Sequence, residues 1–128
     1  MRVVRAEEIG AMSAGSGPED DDGEQGSVLP AWLEGPYNGD RLDVAVVRVT
    51  SGGATPPHAH IGGQVIVVTS GRGFVETGGE RVEIGVGDVV VCPPGEVHTH
   101  GALAGGPLAH LTVTTGGYRF PEEPAPPA

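Results

Sequence analysis

Valine-rich runs of four to eight residues, each closed by a turn former, recur from Leu42 to Thr114 and leave room for little except short strands. The runs are Leu42–Val49, Gln64–Thr69, Gly73–Glu76, Arg81–Ile84, Asp88–Cys92, Val97–Gly101 and Leu108–Thr114. Glycine stands at the bends, at Gly71, Gly73, Gly78-Gly79, Gly85 and Gly87. With 23 Gly and 12 Pro in 128 residues, tight loops are expected and long helices are not. Seven or eight short strands in a chain of one-domain length predict an all-β fold, an antiparallel β-sandwich or jelly-roll barrel. Val65–Val68 and Val89–Val91 are apolar on both faces. A strand wet on one side alternates, so these predict coverage by another sheet or subunit, and a homodimer is expected.

The ends differ in composition from this centre. Val3-Val4 reads as a short strand on a sheet edge or partner subunit, or as a frayed end, and residues 10–26 shift to Gly, Ser and the acidic run Glu19-Asp20-Asp21-Asp22, which reads as a mobile linker. A Ca²⁺ site on those carboxylates is disfavoured, because no second cluster at loop-ligand spacing follows. Val28–Tyr37 carries Trp32 and Tyr37 and reads as a lid packing two aromatics over one barrel end; the sharper reading puts one of them at a pocket mouth. After Gly117 the chain becomes a Pro-rich, extended or disordered tail. The expected organisation is an N-terminal arm and linker over 1–27, a barrel over 28–118 and a tail over 119–128.

A net charge of −10 without a Lys/Arg cluster excludes nucleic acid and anionic membranes as expected partners. No apolar run approaches a membrane span, no apolar segment follows Arg2 and Arg5, and the single Cys92 forms no internal disulfide. A cytoplasmic protein is expected. Cys92 itself reads as a small buried hydrophobe, and Glu96, Arg72 and Arg81 as solvated charges.

Four of the five histidines fall in two pairs, His58 with His60 and His98 with His100. Side chains at i and i+2 of an extended backbone leave the same face, so each pair aims two imidazoles at one point. Gln64 follows His60 after Ile61-Gly62-Gly63, a turn that brings its amide back toward that point. Imidazole and amide donors suit Mn²⁺, Fe²⁺, Co²⁺, Ni²⁺ or Zn²⁺, and ligand type alone does not choose among them.

These residues resemble a known pattern. Gly52, His58-x-His60, Gln64 and Gly71 are similar to the first motif of the cupin family, with Gln where Glu is usual. Gly87, Pro93-x-Gly95 and His98 are similar to its second motif, with Ala102 where Asn is common. The likeness covers roughly residues 41 to 115 and implies a cupin barrel with one divalent metal on His58, His60, Gln64 and His98. The tail of the second motif, Pro93-Pro94-Gly95-Glu96-x-His98-x-His100-Gly101-Ala102, together with His110, resembles a subset that includes cupin hydroxynitrile lyases and carboxymuconolactone-decarboxylase-associated cupins, with the monocupin polyketide cyclases as its near relatives.

Gln for Glu withdraws about 8 kcal/mol of Coulomb energy between a carboxylate and a dication at ~4 Å and an effective dielectric of ~20. A centre with only neutral donors keeps its full charge and favours Lewis-acid and proton-transfer chemistry on a small carbonyl or enol substrate, as a lyase or cyclase. Three roles are open to His100: a further ligand, a general base, or a polar residue at the barrel rim. His110 shares a strand face with Leu108, Thr112 and Thr114 and is a second acid-base candidate if that face is interior. The competing functions are an Fe²⁺ or Mn²⁺ dioxygenase and a non-catalytic small-molecule-binding module.

Overall fold

The computed structural model describes residues 1–12 and 26–121. Residues 13–25, with the linker and Ca²⁺ readings of the acidic run Glu19 to Asp22, and residues 122–128 of the tail lie outside them, whereas residues 10–12, read as the start of that linker, are helical.

Among the described residues one short helix, α1 (Ala6–Met12), precedes nine strands: β1 (Val28–Glu34), β2 (Asp43–Val49), β3 (Ala59–His60), β4 (Gln64–Thr77), β5 (Glu80–Gly85), β6 (Val89–Cys92), β7 (Thr99–Ala102), β8 (Leu108–Thr114) and β9 (Tyr118–Arg119). Every pairing is antiparallel. The strand path β1-β2-β8-β4-β5 forms the main sheet, with β6 and β7 also paired to β4, while β3 and β9 make a separate two-stranded sheet. This is the all-β jelly-roll architecture expected from the spacing of the runs.

The long strand β4 organises both walls. Its first half pairs with β6 and β8, its second half with β5 and β7. Two separate strands were expected here, divided near Gly71. A bulge between Val68 and Ser70 bends the strand instead, and Gly71 follows at φ 76°, so the chain turns without leaving the ladder. A side chain at Gly71 would run into the Pro107 carbonyl. Gly71→Ala is therefore expected to lower stability by about 2 kcal/mol or more, through the left-handed backbone and the clash together. Urea unfolding measures this, and an unchanged midpoint would contradict it.

Three further expectations are corrected. Val3-Val4 forms no strand; Glu7 and Glu8 occupy the first turn of α1, and the Glu8 carboxylate accepts from the Arg5 backbone N–H at 3.3 Å, so helix capping wins. The segment from Val28 is no lid: β1 adds to the main sheet beside β2, and Val28, Pro30 and Trp32 face the barrel interior. The tail expected from Gly117 begins with β9, whose Tyr118 pairs with His60.

Ala45, Val49, Val68, Ile84, Ala102 and Leu108 form the core between the walls. Asp43 is buried at the head of β2. Its carboxylate accepts the Tyr37 and Asn38 backbone N–H groups at 2.6 and 3.2 Å, which fixes the loop behind β1. Asp43→Ala would orphan both donors and is expected to cost about 1–3 kcal/mol, read as a fall in melting temperature. On the outer side of the main sheet Val65, Val89 and Val91 remain 38%, 58% and 70% exposed.

Candidate metal centre

His58 and His98 are placed by their own backbones. Each donates its N–H to the other's carbonyl, at 3.0 and 2.8 Å, and this bridge sets the two rings 4.6 Å apart. His60 is fixed by β3, and its carbonyl accepts the N–H groups of Gly63 and Gly95, at 3.1 and 2.9 Å. Gln64 opens β4 immediately after that turn. The ligand atoms of His58, His60 and His98 all lie within 4.8 Å of one another.

Their orientation tests whether a metal fits. His58 Nδ1 lies 2.8 Å from the Pro56 carbonyl and His98 Nδ1 lies 3.1 Å from that of Glu96. A carbonyl can only accept, so both Nδ1 atoms carry the proton and both Nε2 lone pairs face the cluster. Gln64 Nε2 donates to Thr112 Oγ1 at 2.6 Å, which turns Oε1 inward, 2.9 Å from His98 Nε2. Two lone-pair atoms thus face each other, and the buried His60 Nε2 has no hydrogen-bond partner. A cation held by His58, His60, Gln64 and His98 satisfies all of these atoms. Among the described residues no carboxylate joins the cluster.

Behind the cluster lies a cavity of about 370 Å³, lined by Ala45 and Val47 of β2, by His58, His60 and Gln64, and by His100, His110 and Thr112. Both extra histidines therefore face inward. His110 is fully buried, so the β8 face it shares with Thr112 is interior. The rings of His100 and His110 meet edge to face at 5.0 Å, and His100 lies 5.4 Å from His58 and 5.7 Å from His98. The His100 backbone is clamped by Thr55, which donates its N–H to the His100 carbonyl and accepts the His100 N–H on Oγ1. His100 Nδ1 and both ring nitrogens of His110 are buried without partners.

Burial is the largest influence on four of the imidazoles, His58, His60, His100 and His110. It holds His58 and His100 below the ordinary histidine range, His100 well below, and lowers His60 and His110 to about 4. The neighbouring rings add to the effect at His58, His60 and His100. All are free bases at neutral pH, the form that binds metals or accepts protons. The unfolded chain takes up protons near pH 6.5, whereas the folded one resists until about 4. Stability of the metal-free protein is therefore full above pH 6.5 and is lost as pH falls toward 4. The slope is roughly 1 kcal/mol per pH unit for a fully buried histidine such as His110, less for the half-buried His60. Urea midpoints of chelator-treated protein at the two ends of that window check the sign; a midpoint that rises on acidification contradicts it.

Three contributors were not singled out in the sequence. Thr112 orients the Gln64 amide, and its only signal was the strand face it shares with His110. Tyr118 and Phe120 line the cavity mouth but sit next to a proline run that reads as tail. Of the two aromatics near β1, Trp32 lines the cavity, whereas Tyr37 turns outward, donating to Glu34 at 2.6 Å beneath the Arg41 guanidinium. Cys92 is buried and its thiol is pushed up to about 11, first by burial and then by Glu96, which leaves it inert.

Comparison with known proteins agrees with this architecture. Residues 45–114 match the family described as a cupin domain. The chain is 35% identical to an (R)-mandelonitrile lyase of Granulicella tundricola over 82% of its own length and 79% of that protein's. A cupin-like protein of Thermotoga maritima superposes with a TM-score of 0.69 at 33% identity, over 75% of this chain and 77% of that one. The polyketide cyclase RemF of Streptomyces resistomycificus superposes with a TM-score of 0.65 at 26% identity, over 79% and 77%.

Proposed function

This chain belongs to the cupin family, and from that premise we propose that it is a metal-dependent lyase cleaving a small α-hydroxynitrile or a related carbonyl adduct. The observation that carries the reading is the meeting, in one small cavity, of a neutral donor set with two buried free-base histidines outside it. The likeness to a mandelonitrile lyase supports the reaction class. So does the cavity, whose 370 Å³ lies at the low end of the ~300–1,000 Å³ of ligand pockets and suits a small adduct better than a long polyketide chain.

His58, His60, Gln64 and His98 would hold one divalent ion, Zn, Mn, Fe, Co or Ni. When bound, it supplies Lewis acidity toward an alcohol or carbonyl oxygen. His100 accepts the hydroxyl proton. The carbon–carbon bond then breaks, its electron pair leaves with the nitrile carbon as cyanide, and the proton on His100 passes to that cyanide, giving aldehyde and hydrogen cyanide. His110, edge-on to His100 and fully buried, acts on the departing group only through that ring. The apolar walls exclude water that would compete for the proton.

The reading includes a cytoplasmic location and a homodimer that covers Val65, Val89 and Val91. Sedimentation of the pure protein tests the dimer.

The function is tested by loading chelator-treated protein with each of the five metals and assaying mandelonitrile and acetone cyanohydrin without oxygen. Cyanide release with at least one metal is expected. Oxygen-dependent turnover instead would favour a dioxygenase, and thermal stabilisation by these compounds without product would favour a binding module.

A further inference from the structure

The mouth of the cavity carries aromatic surface for which the chemistry above has no use. Trp32, the chain's single tryptophan, lines the cavity from β1 and is 44% exposed. Tyr118 and Phe120 line it from the separate two-stranded sheet and the residue beyond. Tyr118 is 56% exposed, yet its ring packs edge to face with Phe120 at 5.5 Å and 83° and continues to His60 at 6.4 Å and 62°. A row of rings therefore runs from a histidine of the candidate metal centre to the rim. The rest of this part of the wall, Val28, Pro30 and Pro36, is apolar. Among the described residues the one carboxylate lining the cavity, Asp43, is engaged by two backbone N–H groups. A second recess bounded by Asn38, Tyr118 and Phe120 adjoins the mouth. All three aromatics lie outside the residues 45–114 that match the family.

An aliphatic group placed there would gain burial alone. A planar ring gains in addition the offset and edge-on contacts that aromatic quadrupoles favour, and it can extend the row already present. We propose that Trp32, Tyr118 and Phe120 form a subsite for a planar aromatic ring, making the substrate an aromatic carbonyl adduct whose polar end reaches His100. The identity of that polar end rests on the lyase reading above; the ring subsite rests on the rim alone. Tyr118 and Phe120 act as specificity-determining residues, and Trp32 closes the subsite from the main sheet.

Trp32 also provides the readout, because it is the only tryptophan and it faces the ligand. Metal-free full-length protein is titrated with benzyl alcohol and with cyclohexylmethanol while Trp32 emission is followed. Benzyl alcohol is expected to bind about tenfold more tightly than its saturated counterpart, the difference that one or two aromatic contacts supply. Tyr118→Leu and Phe120→Leu keep apolar area and remove the rings. Each is expected to weaken benzyl alcohol by roughly three- to tenfold while leaving cyclohexylmethanol within about twofold. Thermal unfolding of the same variants verifies that the barrel is intact, which the exposure of Tyr118 favours. Equal binding of the two alcohols, or leucine variants that bind benzyl alcohol like the parent, overturns the subsite. Ring-dependent binding together with no cyanohydrin cleavage by metal-loaded protein would leave the subsite standing and remove the lyase reading. Cleavage indifferent to Tyr118 and Phe120 would do the reverse.

Discussion

His98→Ala is expected to abolish turnover, by about three orders of magnitude or more, and to remove the bound metal with it. His98 is the hub of the cluster: its backbone holds His58 in place, its Nε2 faces Gln64 Oε1, and its ring stacks over that of His60 at 5.6 Å. Losing one of four donors leaves three that no longer define a closed site, and the Gln64 oxygen loses the partner opposite it. Metal analysis of the variant after dialysis checks the first part and a cyanohydrin assay the second. Full metal content in the variant would show that the ion sits elsewhere. Gln64→Glu is the informative companion. Thr112 Oγ1 now accepts from the amide; a carboxylate there would require the hydroxyl to rotate and donate. The added negative charge would tighten the metal and weaken its Lewis acidity, so retention rises while turnover falls.

His100→Ala is expected to lower kcat by about 10²- to 10⁴-fold with metal content unchanged, the range for a lost general acid-base group. Its ring adjoins the cluster without belonging to the three-histidine group whose ligand atoms converge. Metal loss in this variant would make His100 a ligand, and unchanged turnover would make it a wall residue. His110→Ala should lose less, because His110 approaches the reacting atoms through His100, and it should also destabilise the fold by opening a void at a fully buried position.

Much of this site was legible because strand geometry is periodic. Spacing of two placed His58 with His60 and His98 with His100, and the turn at Gly62-Gly63 returned Gln64, all without knowledge of the tertiary fold. The orientation of His110 was legible only as a choice, since period two names the residues that share a face but not which face is inside. What stayed hidden was set by long-range partners. Thr112 matters because β8 pairs with β4 and sets it diagonally beside Gln64, a register that composition does not announce. Tyr118 is a strand residue only because β3 offers an edge, although composition after Gly117 favours a coil. The same holds for β4: glycines near 71 and 73 read as a break, and only the partners on both sides of the strand make the bulge the better solution.

The sharing of β4 between the two walls also bears on how the molecule comes apart. Since β6 and β8 grip one half of this strand and β5 and β7 the other, neither wall has a complete set of ladders by itself. Fraying that begins at the hairpin to β5 must travel through the bulge into the half that carries Gln64. The scaffold and its histidine cluster therefore melt together, in a single cooperative event rather than wall by wall.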